Sequence, residues 1–213
     1  MPPQTGAIAS LFAPRESVAM QPGFYFAFGE TLLDAQDDSQ NQVRFYWSVR
    51  DTTAAALTGR VSAVLNKFHI LFRMKCLSHS GLFHRLDAAL VYMHRRFARL
   101  AADLLLQVHA EFGQGVGPDV PPFTRMIAPG MALAEDPGSD SMYTFASVNE
   151  SFGTHRCRLL AEGILRAAAL GLHTPADRLQ EIERHFLRNG ISFDRPYLNG
   201  GQNRDFDLPQ GDS

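Results

Sequence analysis

The sequence is poor in lysine and in cysteine. Only two of its 213 residues are lysine, Lys67 and Lys75, although it contains eighteen arginines. The two cysteines, Cys76 and Cys157, are too few for a disulfide framework and lack the spacing of metal ligands, and the eight histidines form no pair typical of a zinc site. Because long apolar runs and a signal peptide are also missing, we expect a cytoplasmic protein with no bound metal.

The charge balance limits the kinds of partner. The net charge is -2 at neutral pH and the pI is about 6.4, which argues against a nucleic-acid-binding surface and against a polybasic membrane anchor. With 45% hydrophobic residues, a chain of this length can build one sizeable core. Weak periodicity at both ends predicts loose segments at residues 1–21 and 200–213, with a single domain at residues 22–199.

The first elements are expected to be two strands and a helix. Aromatic and β-branched residues dominate Phe24–Phe28 and Val43–Val49, and an antiparallel pairing of these two strands fits the polar loop between them. Apolar residues at helical spacing predict a helix over Thr52–Asn66, with Asp51 or Thr52 as its N-cap.

The middle of the chain continues with strands, a helix and an irregular region. Strands are expected at about residues 68–77 and at Leu86–Met93, followed by an arginine-rich helix from about His94 to Phe112. Residues 113–149 are rich in glycine and proline, so we expect irregular structure there around one short element near Thr124–Leu133.

Two helices are expected in the last third of the chain. The first covers about Phe152–Gly171, and the second begins with Thr174 as N-cap and Pro175 in its first turn and ends at Asn189–Gly190. Together the elements predict an α+β fold with a mixed, mainly antiparallel sheet, flanked by helices, whose polar face forms the site.

Alternation along the strands places several cations on one face of that sheet. Arg44 and Tyr46 point away from the apolar side chains of their strand, Arg73 and Lys75 share a face of the next strand, and Arg85 opens the strand after it. Three arginines around a lysine and a phenol would bind a phosphate dianion, because guanidinium binds phosphate oxygens bidentately. The alternative is a solvated sheet face with paired surface charges.

Lys75 is the candidate base within this group. It lies in the apolar stretch Leu71–Leu77, where an ammonium group is costly. Arginine holds its proton in proteins, whereas a lysine crowded by cations or apolar surface can lose one. The alternative is that the Lys75 side chain extends from an edge strand into water.

A second group of polar residues begins a predicted helix at Glu150–Arg158. His155 and Arg156 fall within its first turns, where backbone N–H groups favour anions. This segment therefore offers a further phosphate contact, although a histidine there also fits a capping or surface role. The preceding Ala134–Pro137 could supply carboxylates or form only a turn.

Six segments, taken in order, resemble the HopA-type effector family. They are Phe45–Val49, Phe72–Cys76, Arg85–Tyr92, Gly130–Pro137, Glu150–Cys157 and Arg195–Asn199. That family includes type III secreted effectors of plant pathogens and relatives encoded with thioamitide and class V lanthipeptide precursors. The resemblance covers about residues 43–199 and implies a lyase that eliminates phosphate from phosphorylated Ser or Thr of a precursor peptide, beside a kinase-like partner.

A more distant similarity to the phosphothreonine lyase effectors implies roles for single residues. Those enzymes carry a Lys-Phe-His-Ile-Ser-Val strand, in which the lysine binds phosphate and the histidine is the general acid, and a later lysine is the base. Arg44 matches the phosphate ligand, Tyr46 matches the acid and Lys75 matches the base. Because Tyr46 replaces the histidine, either Tyr46 or His155 is implied as the acid.

The resemblance therefore predicts a β-elimination that leaves dehydroalanine or dehydrobutyrine in the peptide. Lys75, Tyr46 and His155 are the catalytic candidates, and Arg44, Arg73, Arg85 and Arg156 are the phosphate-binding candidates. No cofactor is needed, because the reaction requires only a base, cations and an acid. The alternatives are a non-catalytic module that binds a peptide or a kinase, and a secreted effector that acts on host proteins.

Overall fold

A computed structural model of the chain describes residues 14–31, 41–137, 150–199 and 206. Within these ranges, seven strands form one antiparallel sheet and four helices flank it, which confirms the predicted α+β fold. The strands are β1 (Glu16–Ser17), β2 (Phe24–Phe28), β3 (Gln42–Trp47), β4 (Phe72–Leu77), β5 (Ala89–His94), β6 (Arg125–Ala128) and β7 (Met131–Glu135). The helices are α1 (Asp51–Lys67), α2 (Ala98–Ala110), α3 (Phe152–Ala169) and α4 (Pro175–Arg188).

The strand order in the sheet is β1-β2-β4-β5-β3-β7-β6. The suggested pairing of the Phe24–Phe28 and Val43–Val49 strands is therefore wrong, because β4 and β5 lie between β2 and β3. All six residues of β3 are buried, so this strand takes a central place with a partner on each side. Chain order alone could not show that β3 is inserted between β5 and β7.

One face of the sheet carries the main apolar core. Phe45 and Trp47 of β3 pack there with residues of α1 and α2. Leu57, Val61 and Leu65 are spaced by four residues on α1, so they form one buried stripe against the sheet. Alternation along the strands thus sends apolar side chains to α1 and α2 and leaves the opposite face to the predicted polar residues.

The opposite face is covered by the beginning of α3. Phe152, the first residue of α3, is buried in a small cluster with Tyr46, Leu90 and Tyr92, and its ring centroid lies 6.4 Å from that of Tyr46. The polar side chains on this face are therefore largely removed from water, since Arg44, Tyr46 and Arg73 are all buried.

The predicted caps are correct for α4, but the predicted cap of α1 is wrong. The Thr174 hydroxyl accepts a hydrogen bond from the backbone N–H of Asp177, and Pro175 opens α4. The N-cap of α1 is Arg50, which makes no side-chain capping bond. Asp51 instead lies inside the first turn, where its carboxylate is favoured by the positive end of the helix.

The region expected to hold one short element forms a hairpin of two strands, β6 and β7. Pro129 and Gly130 make the turn, and Gly130 has φ of +73°. A Cβ at Gly130 would lie 1.8 Å from the carbonyl oxygen of Gly117, so glycine is required for both conformation and space. Residues 138–149, the rest of the predicted irregular region, lie outside the described residues.

Other element boundaries shift by a few residues. The strand expected at 68–77 begins only at Phe72, because α1 continues to Lys67 and His69 turns the chain with φ of +52°. The strand expected at Leu86–Met93 begins at Ala89, and the following helix begins at Ala98 after one 3₁₀ turn.

The ends of the chain are described only in part. Glu16–Ser17 adds a short edge strand to the sheet, whereas residues 1–13 and most of 200–213 lie outside the described ranges. The division into 1–21, 22–199 and 200–213 stays a prediction. No helix in the described part of the chain is long and apolar enough to cross a membrane.

Candidate functional site

A pocket of about 560 Å³ opens between the polar sheet face, the β4–β5 loop and the start of α3. Four of the seven predicted site residues line it, namely Arg44, Tyr46, Lys75 and Arg85. They come from β3, β4 and the β4–β5 loop, so the sheet brings together residues that are far apart in the sequence. Arg73, His155 and Arg156 lie outside the pocket lining.

Lys75 lies in the middle of β4, which pairs with β2 on one side and β5 on the other. The interpretation of Lys75 as an edge-strand residue is therefore wrong. Its Nζ atom is 4.7 Å from the ring centroid of Phe24 and 5.9 Å from that of Tyr92. Among the described residues its ammonium group contacts aromatic rings rather than a carboxylate, which leaves it available to a ligand in the pocket.

Arg44 is held by the carboxylate of Asp136, which follows directly after β7. Its Nε atom donates a 2.8 Å hydrogen bond to Oδ2 of Asp136, and both side chains are buried. Asp136 thus fixes the orientation of the Arg44 guanidinium at the pocket and offsets the cost of burying its charge. The segment Ala134–Pro137, predicted as a carboxylate source or a turn, supplies this carboxylate, and its first two residues belong to strand β7.

Tyr46, two residues after Arg44 on β3, presents a buried phenol to the pocket. Burial raises the pKa of Tyr46, and Arg44 offsets this only in part. The hydroxyl is therefore protonated at neutral pH and can donate a hydrogen bond to a phosphate oxygen.

Tyr92 is a central residue of this face that the sequence interpretation did not single out. Arg44 and Arg73 lie over its ring, with Cζ atoms 5.0 and 4.4 Å from the centroid, and Lys75 approaches it as well. Burial raises the pKa of Tyr92, but the three cations outweigh burial and lower it below the ordinary value. Tyr92 lies on β5 and is paired with Arg44 of β3 on one side and with Arg73 of β4 on the other, so a correct strand order would have revealed its place.

Arg85 is anchored at the pocket rim by its own loop. Its Nε and Nη2 atoms donate hydrogen bonds of 2.9 and 2.8 Å to the two carboxylate oxygens of Asp87. The side chain is 41% exposed, so an anion in the pocket can reach it from the solvent side. A bound phosphate would compete with Asp87 for this guanidinium.

The start of α3 adds an anion-binding element to the pocket wall. Ser151, Phe152 and Gly153 line the pocket, and the Ser151 hydroxyl caps the helix by accepting a hydrogen bond from the N–H of Thr154. The first N–H groups of a helix have no acceptor within it, and the helix dipole favours a negative charge near them. This part of the pocket wall therefore also favours a phosphate.

Arg156 makes structural contacts within the protein. Its Nε donates to the carbonyl oxygen of Pro196, and its Nη2 donates to the carbonyl oxygen of Leu198 and to Oδ1 of Asn199. The side chain is fully buried. These bonds attach the segment after α4 to α3, and they direct the guanidinium to the protein rather than to the pocket.

His155 is tied to the same arrangement. Its Nδ1 atom accepts a hydrogen bond from Nη1 of Arg156 at 2.6 Å. Burial lowers the pKa of His155, and the charges of Arg156 and Arg158 lower it further. The imidazole is therefore neutral at neutral pH, and it is not part of the pocket lining.

A larger groove of about 760 Å³ lies elsewhere, between β2 and α1. Its lining contains one arginine, Arg15, which pairs with Glu30 at 2.8 Å. This groove brings together none of the predicted site residues, so the smaller pocket is the better candidate site. In the described ranges no cluster of His, Cys, Asp and Glu could hold a metal ion.

Comparisons with known proteins agree with this fold and with the sequence resemblance. Two effector proteins with solved structures are similar to this chain. That from Pseudomonas syringae pv. tomato strain DC3000 has 20% identity and a TM-score of 0.61, and the match covers 86% of this chain and 66% of that one. That from Pseudomonas syringae pv. syringae strain 61 has 17% identity and a TM-score of 0.57, with 83% and 63% covered.

The chain thus spans slightly less than two thirds of the length of these two effectors, and at such low identity the likeness establishes the fold alone. A comparison with curated protein sequences gave no match. The sequence profile of the HopA1 effector protein family matches residues 15–198, which is most of the chain. The chain therefore belongs to the HopA1 effector protein family.

Proposed function

We propose that this protein is a phosphoserine and phosphothreonine lyase that acts on a phosphorylated precursor peptide in ribosomal peptide natural-product biosynthesis. The observation that carries the proposal is the pocket in which a lysine, a buried phenol, two arginines and a helix start surround one cavity. A cavity of about 560 Å³ is within the size range of small-ligand sites and can admit a phosphorylated side chain with its adjacent backbone.

The arginines and α3 bind the phosphate in this proposal. Arg44 and Arg85 supply guanidinium groups, and the N–H groups at the start of α3 supply backbone donors. These charges stabilise the phosphate as it departs, which is the largest contribution that a preorganised site makes to such a reaction. Arg73 does not line the pocket. In this proposal it adds its positive charge from its place over the ring of Tyr92.

Lys75 is the base in this proposal. Its neutral amine takes the Cα proton, the C–H electrons form the Cα=Cβ bond, and the Cβ–O bond breaks to release phosphate. A base must lie within hydrogen-bond reach of the proton that it removes. This role is supported by the position of Lys75, which lines the pocket from β4 between Phe26 of β2 and Leu90 of β5 and has no carboxylate partner in the described part of the chain.

Tyr46 is the proposed proton donor to the bridging oxygen. It lines the pocket beside Arg44, and burial keeps its hydroxyl protonated. His155 is the weaker candidate, because it lies outside the pocket lining and its Nδ1 atom is occupied by Arg156. The place of Tyr46 in the pocket lining supports this choice, which its position on the same strand face as Arg44 also favours.

The proposed substrate defines the partner. Serine and threonine hydroxyls are poor leaving groups, so a kinase-like partner protein has to phosphorylate the precursor peptide before elimination can occur. The products are inorganic phosphate and a peptide that contains dehydroalanine or dehydrobutyrine.

Mass spectrometry of a phosphorylated peptide incubated with the full chain tests the proposal. Elimination removes phosphoric acid and leaves a dehydroamino acid, whereas a phosphatase leaves the original hydroxyl. Trapping the product with a thiol adds the mass of that thiol only if the double bond has formed. Binding without any change in peptide mass would instead support a non-catalytic peptide-binding module.

A second candidate function is an effector that acts on host proteins. It is favoured by the family match and by the two solved structures, both of which are of effector proteins. The pocket chemistry would be the same, but the substrate would be a phosphorylated host protein. Elimination from folded phosphoproteins with none from short precursor peptides would favour this second candidate.

A further inference from the structure

His84 lines the pocket, yet neither the strand pattern nor the family resemblance assigns it a role. It lies in the β4–β5 loop immediately before Arg85 and is exposed at the rim. Its Nδ1 atom is 3.0 Å from the carbonyl oxygen of Gly81. A carbonyl oxygen only accepts hydrogen bonds, so Nδ1 carries the proton in this contact.

This contact fixes the tautomer and orientation of the ring. With Nδ1–H donated to Gly81, the Nε2 atom is the one that remains for a ligand. When the imidazole is neutral, Nε2 is an acceptor, and when it is protonated, Nε2–H becomes a charged donor. The backbone of the loop thus prepares His84 to interact with an anion only in its protonated form.

The charged and titratable groups that line the same cavity come from the β4–β5 loop, β4, β3 and α3, whereas β2, β5 and the segment Pro121–Phe123 contribute none. They are Arg85 and Asp87 of the loop, Lys75 of β4, Arg44 and Tyr46 of β3, and Cys157 of α3. Three of these groups are cations, which would hold a phosphate dianion in the pocket. A bound dianion favours the protonated form of the neighbouring imidazole.

We infer that His84 is a pH-dependent phosphate ligand of this site, and that its protonation is coupled to the binding of the phosphorylated residue. This inference rests on the proposed function in that it places a phosphorylated side chain in the same pocket. His84 donates Nε2–H to a phosphate oxygen, and the complex takes up a proton when it forms near neutral pH. The site therefore recognises the phosphorylated side chain partly through a charge that the ligand itself induces.

Affinity measured at two pH values tests the coupling. The dissociation constants of a phosphothreonine peptide are compared for the wild type and His84→Gln at about pH 6 and about pH 8, on either side of the ordinary histidine pKa. At each pH, the ratio of the variant's dissociation constant to that of the wild type cancels the titration of the phosphate, because both proteins bind the same ligand. A charge-assisted bond is stronger than a neutral one, so we expect a loss of about tenfold at the lower pH and less than about threefold at the higher pH.

His79→Gln is the matched control. His79 is an exposed histidine of the same loop that does not line the pocket, so its loss should leave the affinity unchanged at both pH values. Equal losses for His84→Gln at the two pH values, or equal effects of the two variants, would overturn the inference.

NMR titration of the His84 imidazole gives a second readout that does not need catalysis. We expect its pKa to rise when inorganic phosphate or the phosphopeptide is added. A shift in His84 without any elimination would reject the lyase proposal and retain this inference. Elimination accompanied by an unchanged His84 titration would retain the lyase proposal and reject this inference. A wild type that binds no phosphopeptide would overturn the lyase proposal and the inference about His84.

Discussion

The two lysines of the chain differ in their surroundings. Lys67 ends α1, with its Nζ atom 5.9 Å from the ring of its neighbour Phe68, and it lies outside the pocket. Lys75 lies inside the sheet, with Phe24 and Tyr92 beside its ammonium group and the pocket in front of it. A lysine and an arginine carry the same charge, but only the amine can accept a proton near neutral pH. Replacing each lysine with arginine therefore separates charge from proton transfer.

We expect Lys75→Arg to abolish elimination while the chain still binds phosphopeptide. The guanidinium keeps the positive charge of the site but cannot act as the base. Single-turnover phosphate release and a separate binding titration measure the two properties. Lys67→Arg is the control and should retain the parent rate. A Lys75→Arg variant that releases phosphate at the parent rate would show that Lys75 is not the base.

The general acid is tested by comparing Tyr46→Phe with His155→Ala. We expect Tyr46→Phe to slow elimination with little change in affinity, since the phenol hydroxyl is removed and the ring still packs on Phe152. A missing general acid typically costs about 10²- to 10⁴-fold, and the neighbouring arginines place the expected effect toward the lower end of that range. His155→Ala should stay near the parent rate. A full-speed Tyr46→Phe variant beside an inactive His155→Ala variant would reverse the assignment.

At the scale of elements, three segments that carry the family resemblance meet at the start of α3. They are Gly130–Pro137, Glu150–Cys157 and Arg195–Asn199. Arg156 of α3 binds the chain at Pro196, Leu198 and Asn199, and the N–H of Glu135 in β7 donates to the carbonyl oxygen of Tyr197. Asn199 also binds the Asp136 carbonyl oxygen through Nδ2. The segment after α4 thus connects α3 to β7, next to the Asp136 that holds Arg44. The scaffold of the pocket depends on this connection.

We expect Arg156→Met to destabilise the fold strongly. The substitution preserves apolar bulk but leaves the buried acceptor at Leu198 and the partly buried acceptor at Pro196 without their donor, and a buried unsatisfied group costs about 1–3 kcal/mol. The expected loss in the free energy of unfolding is therefore a few kcal/mol, measured by urea denaturation.

Arg158→Met is the matched control for this prediction. Arg158 is two residues away and 41% exposed, and it pairs with Glu150 and Glu162 on the surface. Exposed pairs of this kind contribute roughly 0–1 kcal/mol. Similar losses for both variants, or a stable Arg156→Met variant that has lost only phosphopeptide affinity, would return Arg156 to the role of phosphate ligand.

For the molecule as a whole, local sequence signals predicted the elements better than their arrangement. Aromatic and β-branched runs located β2 and β3, and Thr174 and Pro175 located the start of α4, because these signals act within a few residues. Strand order depends on contacts between distant segments, so the insertion of β3 between β5 and β7 could not be read from the chain. The Pro129–Gly130 turn was a local signal for the β6–β7 hairpin that the prediction of one element overlooked.

The same distinction applies to the site. Alternation correctly placed Arg44, Tyr46 and Lys75 on one face, since a period of two is fixed by the strand itself. Arg156 was expected at the phosphate because it follows a helix start. Its actual partners lie about 40 residues further along the chain, and no local pattern indicates them.

A whole-molecule property, acid stability, can be assigned in part to His109. This residue lies in the last turn of α2, burial lowers its pKa, and its buried Nδ1 atom has no hydrogen-bond partner within the described ranges. The unfolded chain therefore binds a proton at His109 more readily than the folded protein does. Well above the ordinary histidine pKa, His109 is neutral in both states and does not affect stability. As the pH drops through that ordinary pKa toward the lower pKa of His109 in the folded protein, the free energy of unfolding falls.

We accordingly expect His109→Gln to lose less stability on acidification than the wild type. Free energies of unfolding from urea titrations at about pH 8, 6 and 5 measure the effect across the ordinary histidine pKa. Comparing the variant with the wild type at each pH removes the titration of all other groups that both proteins share. His79→Gln, which removes an exposed histidine of the β4–β5 loop, should follow the wild type. If His109→Gln and the wild type lose stability in parallel, protonation of the buried imidazole does not contribute to acid unfolding.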